Sequence, residues 1–95
     1  MLMERAELLA KAGDEDKFEQ ALRTRSQPLL ASIPGVQLVK VGRGVENPDK
    51  FILLVHWDSL DAHERFKLSP AYGELMATMG GFARGGGVEH FELDG

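Results

Sequence analysis

The stretch "FILLVHW", Phe51 to Trp57, narrows the fold more than any other part of the chain. It is a short, almost uninterrupted apolar run, which suits a central strand of a sheet. Asn47-Pro48-Asp49 just before it is a strong turn signal. "VQLVKVGRG", ahead of that turn, has the spacing and residue types of a second strand, so the two predict a β-hairpin.

The flanking segments supply the remaining elements. "ERAELLAKA" alternates as a strand would, with Ala6, Leu8, Ala10 and Ala12 on one side, although its Ala, Glu and Lys content equally suits a helix. Asp14 can cap a helix, Glu15 and Asp16 fall in its first turn, and Phe18, Ala21, Leu22 and Leu29 or Leu30 form its apolar stripe to about Ala31. Pro28 is expected to kink the last turn. After the hairpin, "DSLDAHERF" starts a second helix with Asp58 or Ser59 as cap. Ser69-Pro70 restarts it, and Tyr72, Leu75, Met76 and Met79 make a stripe ending at Gly80-Gly81. "ARGGG" predicts a flexible connection. "VEHFEL" predicts a last strand with Val88, His90 and Glu92 on one side and Glu89, Phe91 and Leu93 on the other.

The resulting order, β-α-β-β-α-β, is the ferredoxin-like arrangement of the α+β class: a four-stranded antiparallel sheet with two helices on one face. At 95 residues the chain is expected to be one domain, 1–95. A chain of this size buries only about 60–65% of its unfolded surface, and the second sheet face is left open, so a homodimer is expected.

Composition excludes several classes of function. With 11 basic and 15 acidic side chains interspersed and a net charge of −4, the composition argues against a surface for nucleic acid or an anionic membrane. Cysteine is absent, which removes disulfides, thiol nucleophiles and cysteine zinc sites. No apolar run approaches the length of a membrane span, and a cytoplasmic protein is the expectation.

The polar stretch His56 to Tyr72 holds the candidate chemistry. His56, Asp58, Asp61, His63 and Glu64 are the residues a metal would need, but their spacing matches neither H-E-x-x-H nor an EF-hand loop, so no metal is expected. The glycine groups lack the strand-loop-helix context of a phosphate loop; the triple glycine is better suited to a turn and to close passage of backbone. The aromatic residues Trp57, Phe66, Tyr72, Phe82 and Phe91 are either core or the lining of a pocket between sheet and helices. A histidine buried near Trp57 or Tyr72 would be placed to hold or move a proton.

The run "FILLVHWDSLDAHERFKLSPAYGELM", closed by "VEHFEL", resembles the antibiotic-biosynthesis-monooxygenase-like domains of the dimeric α+β barrel superfamily. Trp57, Ser59, Ala62, Ser69 and Tyr72 fall at the places of that family's degenerate pattern, and the resemblance covers nearly the whole chain. Two positions depart from it. Phe66 stands where many members carry a histidine, and Met76 stands where the haem-degrading branch has its iron ligand; a thioether is no substitute for a proximal imidazole. The resemblance implies a homodimer and a cofactor-independent monooxygenase acting with dioxygen on an aromatic or phenolic small molecule. His56 is then the first candidate base, with Tyr72 and His63 as alternatives, and Trp57, Phe66 and Phe91 as pocket residues. The competing reading is a non-catalytic small-ligand-binding or dimerisation module of the same fold.

Overall fold

The computed structural model describes residues 1–95. Its elements are β1 (Leu2–Ala10), α1 (Glu15–Ala21), a π-helical turn (Leu22–Ser26), α2 (Gln27–Ala31), β2 (Val36–Arg43), β3 (Lys50–Trp57), α3 (Leu60–Lys67), α4 (Pro70–Phe82) and β4 (Ala83–Glu92). The strands pair antiparallel in the order β2-β3-β1-β4, with the helices on one face. This is the ferredoxin-like arrangement, and it puts "FILLVHW" in the interior of the sheet.

Strand alternation decides which side chains meet the helices. On β3, Phe51, Leu53, Val55 and Trp57 are buried, while Ile52, Leu54 and His56 face the open side. Register carries the same division across the sheet: Ala6 pairs with Leu53 and Val88, whereas Arg5 pairs with Leu54 and Glu89. The ambiguous N-terminal segment is therefore a strand, because only that period places Ala6 and Ala10 in the core. Phe18 on α1 closes one end of the core. Its ring stands edge-on to Phe51 at 5.3 Å and stacks on Phe82 at 5.8 Å.

Local signals resolve in particular ways. Ser59 caps α3, its Oγ accepting from the Ala62 N–H at 3.1 Å. Asp14 occupies the cap position of α1 without a side-chain bond, and the Glu15 carboxylate instead accepts from the Gly13 N–H. The disturbance expected at Pro28 takes the form of the wider turn just before it. Pro28 has no N–H to offer the Thr24 carbonyl, and the helix loosens over Leu22–Ser26 before resuming.

"ARGGG" differs most from expectation. It is no flexible connection: α4 runs to Phe82, and Ala83 to Gly87 already belong to β4. Gly85, Gly86 and Gly87 pair with Leu9, Leu8 and Glu7. A Cβ on Gly86 would collide with the Glu7 carbonyl oxygen, so glycine here permits close approach of two backbones.

Candidate functional site

Between the sheet and the helices lies a partly open cavity of about 290 Å³. Its walls are mainly aliphatic and thioether side chains, among them Leu30, Leu53, Leu75, Met76, Met79 and Val88. Polar groups gather at one end. β1 contributes Glu4, β4 contributes His90, and α3 contributes His63 and Lys67.

The sheet register builds this polar end. Glu4 is the direct ladder partner of His90 on one side and of Val55 on the other, so carboxylate and imidazole stand on the helix-facing side together. The buried stripe of α3, Ala62, His63 and Phe66, lays His63 over them. The His63 Nε2 and His90 Nε2 lie 3.5 and 3.8 Å from Glu4 Oε1, and the two imidazole rings meet edge to face at 4.4 Å.

Glu4 keeps only 15% of its side chain exposed, so its charge requires a partner. Trp57, fully buried on β3, provides one: its indole N–H donates to Glu4 Oε1 at 2.8 Å. Trp57 also packs edge-on against His63, with ring centroids 5.2 Å apart, and against Phe66 at 5.6 Å. Phe66 in turn meets Tyr72 edge-on at 5.5 Å, which continues the aromatic wall into α4.

Burial holds the His63 imidazole below the ordinary histidine pKa. The Glu4 charge works against this shift and the adjacent His90 works with it. A ring so placed is a neutral base at neutral pH. Two ring nitrogens in the cluster, His63 Nδ1 and His90 Nε2, are buried without a hydrogen-bond partner. Glu64 Oε1 is 3.7 Å from that Nδ1, on the solvent side of α3.

The six residues singled out from the sequence separate into three groups. His63, Phe66 and Tyr72 line the cavity. Trp57 lies behind it and acts on it through Glu4. His56 and Phe91 do not reach this cavity: both fall on the opposite face of the sheet, one residue out of phase with Trp57 and His90. Of the residues weighed for a metal, only His63 faces Glu4 and His90, with Glu64 on the outer side of its ring.

Sequence reasoning missed Glu4 and His90. The signal was present in the alternation, since Glu4 shares the face of Ala6, Leu8 and Ala10, and His90 shares the face of Val88. A carboxylate and an imidazole on the buried side of two strands are the positions to question.

Residues 1–78 match the model of the family described as "Antibiotic biosynthesis monooxygenase". The chain belongs to this family. Its relative YczJ, an uncharacterized protein of Bacillus subtilis (strain 168), is 34% identical over 94 residues, covering 97% of this chain and 98% of the relative. Among solved structures, a Bordetella bronchiseptica protein provisionally named an antibiotic biosynthesis monooxygenase superposes with a TM-score of 0.87 at 28% identity, covering 98% of this chain and 96% of that one. A variant of SnoaB, a cofactor-independent oxygenase from Streptomyces nogalater, superposes with a TM-score of 0.85 at 15% identity, covering 97% and 91%. The antibiotic biosynthesis monooxygenase family includes cofactor-independent enzymes acting on small aromatic molecules. No helix of this member is long and apolar enough to cross a membrane.

Proposed function

We propose that this chain is a cofactor-independent monooxygenase of an aromatic, phenolic small molecule. The observation that carries this reading is the pairing of Glu4 with His63 at the polar end of an apolar cavity. The likeness to SnoaB, itself a cofactor-independent oxygenase, supports the reaction class.

The chemistry asks for a base, a donor to the substrate oxyanion and a dry enclosure. His63 accepts a proton from the substrate, and Glu4, held by Trp57, stabilises the imidazolium that forms. The substrate anion passes one electron to dioxygen. The two radicals join in a carbon–oxygen bond, and the hydroperoxide so formed loses water. For an anthrone, a ring CH2 becomes C=O, one oxygen atom enters the product and the other leaves as water, so no external reductant is consumed. Tyr72 is the candidate donor to the substrate oxygen from the α4 side. The aliphatic walls exclude water and leave the ring faces to dispersion contacts.

The finer assembly is part of the same proposal: two copies pair through the open sheet face, where Met3, Leu9, Ile52, Leu54 and Phe91 stand. Oxygen uptake is measured with anthrone and hydroquinone substrates, with no cofactor added. Turnover of one oxygen molecule per substrate supports the enzyme. Saturable binding of these compounds with no oxygen uptake makes the chain a small-ligand-binding module instead.

A further inference from the structure

The Glu4, His63 and His90 donors have a geometry that proton transfer alone does not require. One carboxylate oxygen and two imidazole nitrogens all lie within 4.8 Å of one another. Their separations from Glu4 Oε1, 3.5 and 3.8 Å, are too long for direct hydrogen bonds. They suit ligands that share a central ion: zinc–nitrogen bonds of about 2.0–2.1 Å place tetrahedral neighbours roughly 3.4 Å apart. The His90 Nε2 is buried with no hydrogen-bond partner, although it faces the carboxylate. His63 is more than nine-tenths buried and directs its Nε2 to the same place.

We propose that Glu4, His63 and His90 bind one divalent transition-metal ion of the zinc type. Two imidazoles and one carboxylate form a borderline donor set, which selects zinc-like ions over magnesium or calcium. One ligand has an outer hydrogen-bond donor, and a carboxylate stands near a second. The Trp57 N–H orients the Glu4 carboxylate, and the Glu64 carboxylate lies on the far side of the His63 ring, by Nδ1. All three side chains line the cavity, so a fourth ligand would come from there.

The sequence expectation of no metal rested on ligands close together in the chain. This set comes instead from β1, α3 and β4. Zinc at the site would occupy the same Glu4 and His63 that the oxygenase reading uses for proton transfer. Inhibition of turnover by zinc rests on that reading, whereas binding does not.

The test uses the full-length, chelator-treated protein and calorimetric titration with zinc chloride, with magnesium chloride as comparison and circular dichroism to check each variant's fold. One zinc per chain is expected, with no magnesium heat under the same conditions. Binding should disappear in the His63→Ala/His90→Ala double variant and persist in His56→Ala, whose histidine lies on the other face. Cobalt(II) added to the wild-type protein should give the intense visible bands of four- or five-coordination, a readout that needs no variant. Absence of zinc binding to wild type, retention of it in the folded double variant, or a weak octahedral cobalt spectrum would overturn the site.

Discussion

Trp57 and Glu4, far apart in the chain, are joined by a 2.8 Å hydrogen bond from the indole N–H to the carboxylate, with the indole fully buried. The bond couples core packing to the electrostatics of the cavity. Trp57→Phe keeps an aromatic ring but leaves the Glu4 carboxylate without its donor, a loss of about 1–3 kcal/mol. Urea unfolding checks it. In a Glu4→Gln background the same Trp57→Phe change should cost less, because a neutral amide loses less when its donor is removed; equal costs in both backgrounds would mean that lost packing, not the hydrogen bond, sets the effect.

His63 and His56 make a paired test of the proposed chemistry. His63 lines the cavity beside Glu4, and His56 faces away from it. With a substrate that is turned over, His63→Ala should lower kcat by roughly 10²–10⁴-fold, the usual range for general acid-base participation, and His56→Ala should leave it near wild type. Equal loss in both variants would reject the assignment.

Leu54 stands on the open face of the central strand, flanked in the ladder by Arg5 and Lys40. Sedimentation equilibrium of the wild type should give twice the 10.5 kDa chain mass. Leu54→Lys places a further cation beside Arg5 and Lys40 and should return the mass to that of one chain. An unchanged mass in the variant would move the interface elsewhere.

Gly86 tests the backbone approach of β4 to β1. A methyl group there meets the Glu7 carbonyl oxygen, whereas at Gly87 it meets nothing within 4 Å. Gly86→Ala should destabilise by roughly 1–3 kcal/mol, and Gly87→Ala should change stability by less than about 0.5 kcal/mol, both read from thermal or urea unfolding.

Glu19 links α1 to β2. Its carboxylate accepts from Arg43 at 3.0 Å and from Arg23 at 3.1 Å, and these hydrogen bonds, that of Arg43 foremost, hold its pKa below the ordinary 4.5. Because the folded value is the lower one, the stabilisation is complete above pH 4.5 and is lost as pH falls through the folded pKa. Glu19→Gln should therefore flatten the acid limb of the stability-pH curve and leave its neutral part displaced by under about 1 kcal/mol, as suits a partly exposed ion pair. An unaltered acid limb would show that the pair contributes nothing there.

Much of the fold is legible in local pattern. The "FILLVHW" run, the Asn-Pro-Asp turn and the stripes led by Phe18 and Tyr72 each report a period and a boundary, and both depend on near neighbours in the chain. From them come the element order and the interior place of β3. The alternation of β3 also carries the fact that His56 and Trp57 face opposite ways, because a strand's period is two whatever surrounds it. What local pattern does not carry is the register in which β1 lies against its two neighbours. Glu4 and His90 meet only because β1 sits between β3 and β4 in one register, and His63 joins them only because α3 lays its side chain over that pair. Local spacing therefore favoured His56 through Glu64, residues close in the chain that the fold sends to different faces. Convergence of three side chains from two strands and a helix is a property of topology and packing, and tertiary structure alone decides it.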